Sequence, residues 1–126
     1  MRSLLILFAL LSLTAKLYCQ DTLAAPTKSV GIASFYAKKF NGRKTSSGIK
    51  FSNDSLTAAH KSLKFGTYVS VRNLKNDSVV IVKIIDRLPK KSKRTIDLTQ
   101  RAAKQLNFIK SGLTKVEITE IEPPEK

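Results

Sequence analysis

Few residues in this chain can move a proton. His60 is the only histidine, and only four acidic residues, Asp54, Asp77, Asp86 and Asp97, fall between positions 22 and 116. His60 closes the run Thr57-Ala58-Ala59-His60. Asp86 opens the run Asp86-Arg87-Leu88-Pro89, 26 residues further on. A carboxyl and an imidazole are the common groups for acid–base work near neutral pH. Any such chemistry here must centre on these two. Asp86 follows Val79-Val80-Ile81-Val82-Lys83-Ile84-Ile85, which is β-branched and apolar on both faces. That run predicts the most buried strand of the protein, with a carboxylate delivered to a fixed position at its end. Burial there is expected to raise the carboxyl pKa toward neutrality. Arg87 acts in the opposite sense, but neighbours on a strand point to opposite faces.

Each of these residues also has a plainer use. Asp86 can anchor Arg87 or nearby backbone amides, and His60 can satisfy local hydrogen bonds. Asp97, with Gln100 three residues later, reads as a helix capping box. A hydrolase that activates water needs a second acid across its cleft. None occurs between Asp21 and Asp54. One histidine, and one cysteine near the N-terminus, are too few for a metal centre, so no metal is expected.

The elements that must position these groups follow from pattern. Gly31-Ile32-Ala33-Ser34-Phe35-Tyr36 predicts a strand whose two aromatics face opposite ways, one into the core and one toward a ligand. Residues 38–50 form a polar loop with turn signals at Asn41-Gly42 and Ser46-Ser47-Gly48. Asn53-Asp54-Ser55 is a further turn leading to the His60 run, so His60 is expected on a polar turn. Thr67-Tyr68-Val69-Ser70-Val71-Arg72 alternates cleanly and predicts a strand. A hairpin connection at 73–78 joins it to the apolar run. Lys90-Lys91-Ser92-Lys93-Arg94 is a basic loop. One helix is expected over about 99–107, with Ala102, Ala103 and Leu106 on its apolar face. A last strand covers 113–121, and Pro123-Pro124 ends the domain. Five or six short strands and one helix, with no alternation of strand and helix, predict an all-β fold closed into a small barrel.

Composition bounds the setting. The chain has 126 residues, one domain's worth, and 42% of them are hydrophobic. Its net charge of +14 calls for an anionic partner. Met1-Arg2, an apolar run over 4–13 and a small residue at Cys19 have the layout of a secretory signal peptide, expected to occupy 1–19. A short buried helix is the alternative. Residues 20–29 read as a leader, 30–121 as the domain and 122–126 as a tail. Lipidation of Cys19 would anchor the protein to a membrane, but Lys16-Leu17-Tyr18 fits a lipoprotein signal poorly. Cleavage takes Arg2 and Lys16 with it, lowering +14 to +12. It also removes the only cysteine, so the core must hold without a disulfide. Export to the periplasm, envelope or exterior makes nucleic acid a poor partner and a cell-envelope polymer a good one. A monomer is expected.

Six motifs then occur in order. They are Gly31-x-Ala33-Ser34-Phe35-Tyr36, Gly42-Arg43-x-Thr45-x-Ser47-Gly48, Thr57-Ala58-Ala59-His60, Leu63-x-Phe65-Gly66-Thr67, Asp86-Arg87-x-Pro89 and Arg94-x-Ile96-Asp97-Leu98-Thr99-x-x-Ala102-Ala103. Together they resemble the rare lipoprotein A family of septal lytic transglycosylases. The resemblance implies a six-stranded double-psi β-barrel with one short helix, akin to expansins. It implies cleavage of peptidoglycan glycan strands, preferably free of peptide, by intramolecular attack that leaves a 1,6-anhydro sugar, with no cofactor. Asp86 falls on the family's catalytic aspartate and His60 on its functional histidine. Tyr36, Phe35, Thr57, Arg87 and Ser47 fall on motif positions expected to touch substrate. Ile49 stands where the family usually carries a glutamate, Leu88 replaces a glycine, and Ala37 replaces another. The glutamate's replacement favours a second reading, a non-catalytic expansin-like glycan-binding module. A basic secreted effector or inhibitor on the same barrel is a third.

Overall fold

The structure is a computed structural model and describes residues 27–125. The expected signal peptide, Cys19 and most of the leader lie outside those residues. The strands are β1 (Lys28–Phe35), β2 (Thr57–His60), β3 (Tyr68–Asn73), β4 (Val79–Arg87), β5 (Ile96–Leu98) and β6 (Thr114–Ile121). A 3-10 turn at Lys38–Phe40 and one helix, α1 (Gln100–Gln105), complete the elements. The strands close in the order β1-β5-β2-β4-β3-β6. The β1–β5 and β2–β4 pairs are parallel and the rest antiparallel. The fold is the six-stranded double-psi barrel that the motifs implied. Closure leaves no strand edge unpaired.

Alternation builds the core. Val69 and Val71, Val80, Val82 and Ile84, Ile96 and Leu98, and Val116 and Ile118 all point inward and are buried. Ala102, Ala103, Leu106 and Phe108, from α1 and the segment after it, join the same cluster. Buried Asn73 is fully engaged: its Nδ2 donates to the Leu106 carbonyl at 2.7 Å, and its Oδ1 accepts from Thr114 Oγ1 at 2.8 Å. Gly31 is required because a Cβ there would lie 2.1 Å from Thr95 Oγ1, where the chain enters β5.

Five expectations need correction. The segment Thr57–His60 is a strand paired on both sides, not a turn. Asp97 sits in the middle of β5 and does not cap the helix; Thr99 does, accepting from the Ala102 N–H at 3.3 Å. The helix is shorter than expected, because Leu106 and Phe108 turn inward to pack rather than extend it. β4 is not buried on both faces: Val79 and Ile81 are exposed, because only its far end is covered by another segment. β1 also begins at Lys28, two residues before the expected start of the domain.

Candidate active site

β2 and β4 run parallel, and their register carries one irregularity. Ala58 pairs with Ile84, but Ala59 pairs with Asp86, so Ile85 has no partner on β2. Val80, Val82 and Ile84 point into the barrel, and strict alternation would send Asp86 inward as well. The bulge at Ile85 turns Asp86 to the outer face instead, a common use of bulges beside functional sites. The same register puts Asp86, Ala59, Asp97 and Ser34 in one row across β4, β2, β5 and β1. Side chains in such a row share a face. Ala59 is therefore a small floor between two carboxylates.

Asp86 lines a pocket of about 210 Å³ with Tyr36, Phe40, Arg43, Lys44, Thr45 and Phe51. A tight hairpin roofs it. Gly42 N–H donates to the Phe51 carbonyl at 2.9 Å, and Phe51 N–H donates to the Arg43 carbonyl at 2.7 Å. Gly48, at φ +89°, makes the turn. The hairpin tip is fastened to the end of β4. Ser47 N–H donates to the Ile85 carbonyl at 3.2 Å, and Ser46 N–H donates to Asp86 Oδ1 at 2.9 Å. The Tyr36 hydroxyl donates to Asp86 Oδ2. Tyr36 is itself held between Phe51, at 4.3 Å between ring centroids, and Phe40, at 5.9 Å.

These contacts set the charge of Asp86. Partial burial pushes its carboxyl up. Hydrogen bonds from Tyr36, the Ser46 N–H, the Arg87 N–H and the Ser46 side chain outweigh burial, and the carboxyl lies below its ordinary value. The expected rise toward neutrality is therefore overturned: without a ligand Asp86 is an anion held by donors. Burial and the hydrogen bond to Asp86 push the Tyr36 phenol well up, so it stays a donor.

His60 is elsewhere. It is 6% exposed and lines a different pocket, of about 210 Å³, with Thr27, Ser29, Ser62, Leu63, Ile118 and Glu120. Its Nδ1 accepts from the Ser62 N–H at 3.0 Å and the Leu63 N–H at 3.1 Å. The proton is thus on Nε2, which is buried without a partner. Burial, then the Arg87 and Lys61 charges, lower the pKa and keep the ring neutral. Its carbonyl accepts from Arg87 Nη1 at 2.9 Å and from the Leu88 N–H at 3.2 Å.

The remaining predicted residues divide. Tyr36 reaches Asp86, while Phe35 turns to the core, edge-on to Phe108 at 5.7 Å, as alternation requires. Ser47 braces the hairpin through Thr45 Oγ1 at 3.0 Å. Thr57 lies three residues before His60 on β2, 3.0 Å from Ser55 Oγ and away from the Asp86 pocket. Arg87 stacks over exposed Phe65 at 4.6 Å. Sequence reasoning missed Asp97, whose carboxylate shares the row of Asp86 and is clamped by Arg94 at 2.8 and 3.1 Å. The signal was present: Ile96 and Leu98 are apolar, so Asp97 between them faces out.

The site is thus a donor-held aspartate at a roofed outer pocket of a closed double-psi barrel. The family model described as lytic transglycolase matches residues 28–118, and the chain belongs to that family. The endolytic peptidoglycan transglycosylase RlpA of Pasteurella multocida is 51% identical over 88 residues, covering 70% of this chain and 30% of that protein. That of Neisseria meningitidis serogroup B is 41% identical over 108 residues, covering 86% of this chain and 45% of its own length. The chain thus spans less than half of these relatives. Among solved structures, the apo expansin of Clavibacter michiganensis superposes with a TM-score of 0.64 at 18% identity, over 79% of this chain and 53% of that one. The Streptomyces papain inhibitor gives 0.62 at 19% identity, over 76% and 96%. At such identities the likeness concerns the fold.

Proposed function

We propose that this protein is an exported lytic transglycosylase that cleaves peptidoglycan glycan strands, with Asp86 as its single acid–base group. The observation that carries the reading is the Asp86 carboxylate, turned out of the barrel by the Ile85 bulge into a pocket built from aromatic and cationic side chains. The relatives named as peptidoglycan transglycosylases support it.

The chemistry needs one carboxyl. Attack of a sugar's own C6 hydroxyl on its anomeric carbon breaks the bond to the next sugar and forms the 1,6-anhydro ring. The proton lost from the C6 oxygen equals the proton gained by the leaving oxygen, so no water is consumed. Asp86 gives the proton in its acid form and recovers one as the carboxylate. Its resting state is the anion. Burial is the one influence that favours the acid, and a sugar seated in the pocket increases burial. Tyr36 holds the carboxylate in place until then. His60 serves as a neutral bracket that shapes the 60–63 turn and, through its carbonyl, holds Arg87 beside Asp86. An envelope location follows from this substrate.

The test is a digest of peptide-free glycan strands read by mass spectrometry. Anhydro-ended fragments made by the wild type and absent with Asp86→Asn support the enzyme. Binding without new ends, equal in both proteins, would overturn it in favour of a glycan-binding module, the reading that Ile49 at the exposed hairpin tip favours.

A further inference from the structure

We propose that the hairpin over the Asp86 pocket reads a free carboxylate on the glycan, close to the bond that is cut, through Arg43 and Lys44. This rests on the peptidoglycan reading above and adds a subsite to it.

Positions 22–53 hold no acid and six cations: Lys28, Lys38, Lys39, Arg43, Lys44 and Lys50. Two of these, Arg43 and Lys44, line the same pocket as Asp86. Neither forms an ion pair among the described residues, where the paired cations are Arg72 and Arg94. Unpaired cations beside a catalytic anion leave room for an anion carried by the ligand.

Arg43 is also held in place. Its guanidinium lies 5.2 Å from the centre of the Phe40 ring, its N–H donates to the Phe40 carbonyl at 3.1 Å, and its carbonyl accepts from the Phe51 N–H at 2.7 Å. Phe40 packs edge-on to Tyr36, which bonds Asp86. The cation is thus tied by a chain of contacts to the group that does the chemistry. Such anchoring lowers the entropy cost of pairing with a planar anion, for which the guanidinium fork is suited. The hairpin supplies no acid of its own to compete for these cations, and position 49 carries an isoleucine that is 45% exposed.

The ligand chemistry follows. Muramic acid carries a lactyl ether whose carboxyl is free when no peptide is joined to it and neutral when amide-linked. A pocket that pairs with that carboxylate distinguishes the two states at the reacting sugar. It also keeps a second negative charge from standing uncompensated next to Asp86.

The experiment compares peptide-free glycan strands with the same strands after methyl esterification of their carboxyls. For the wild type, esterification is expected to raise KM about tenfold, the effect of one charge-assisted contact, with kcat changed little. The variant Arg43→Gln/Lys44→Gln is expected to treat both strands alike. A control, Lys75→Gln/Lys115→Gln, removes equal charge from exposed positions elsewhere and is expected to keep the preference. Thermal melting verifies that each variant is folded; all four side chains are exposed, and only the loss of the Arg43–Phe40 contact should lower Tm, by a few degrees at most. Equal KM for the two strands in the wild type, a preference retained in the hairpin variant, or one lost in the control would each overturn the subsite. If no strand is cut, calorimetric titration of wild type and variants with the two strands reads the same preference. Discrimination there keeps the subsite while the transglycosylase reading falls.

Discussion

His60 ends β2, and Asp86 is the last residue but one of the paired β4, one step before the residue that faces His60 across the ladder. In sequence they resemble a catalytic pair. In space they are opposites. Asp86 is an anion on the outer face, with both carboxylate oxygens held by donors from the hairpin and from Tyr36. His60 is a neutral ring on the inner face, with one nitrogen bracketing a turn and the other facing no partner. One unpaired residue, Ile85, makes the difference. Closeness along a ladder says which residues are neighbours, and the parity of the register says whether they can share a ligand. The carboxylate that does share the face of Asp86 is Asp97, and the Arg94 fork compensates its charge.

The largest effect that separates the two residues is on turnover. Asp86→Asn removes the only carboxyl free of a cationic partner in its row. Strand cleavage is expected to fall by about 10²-fold or more, the usual range for loss of an acid–base group, with strand binding retained. Tyr36→Phe is next. It keeps the ring between Phe51 and Phe40 and removes one donor that lowers the carboxyl of Asp86. The sign follows: the carboxyl pKa rises, and because Asp86 must donate as the acid, the alkaline limb of the kcat/KM profile moves to higher pH, with kcat reduced about tenfold by the loss of positioning. His60→Asn should leave that limb where it is, because the ring touches neither Asp86 nor its donors. A limb displaced by His60→Asn and unmoved by Tyr36→Phe would make His60 the proton partner and sink the division.

Much of the barrel was legible in the residues. The alternation of Thr67–Arg72, the apolar run into Asp86 and the final strand each carry their period openly. β2 and β5 were not legible, for a physical reason. They are four and three residues long, too short to show a period, and they exist because both neighbours in the closed sheet supply hydrogen bonds. The capping box at Asp97 failed by the same cause. Pairing with β1 and β2 claimed Asp97 for the sheet, and the cap moved to Thr99, whose hydroxyl also donates to the Ser55 carbonyl at 2.6 Å. Within the site, Asp86 and Tyr36 could be found from their motifs. The bulge that exposes Asp86 could not, because a register shift depends on two strands and leaves no mark in either one.

The smallest effect concerns folding and its dependence on pH, where the two residues again part. His60 titrates below its ordinary value of 6.5 in the folded protein. As pH falls from about that value, the unfolded chain binds a proton that the folded chain refuses, so stability declines until the folded group also titrates. Asp86 acts in a lower window. Its folded carboxyl lies below the ordinary 3.8, so the stability it contributes is present above that value and is lost as pH falls through the folded pKa. His60→Ala should cost about 1–3 kcal/mol at neutral pH, since two backbone N–H groups lose their acceptor. His60→Asn, whose side-chain oxygen can accept from them, should recover part of that. Both variants should flatten the decline that begins near the ordinary histidine value and leave the carboxylate window unchanged. Urea unfolding of wild type, His60→Asn and Asp86→Asn between the two windows measures this directly. A decline in the histidine window that survives in His60→Asn and vanishes in Asp86→Asn would assign it to Asp86, and the separation of the two residues would fail.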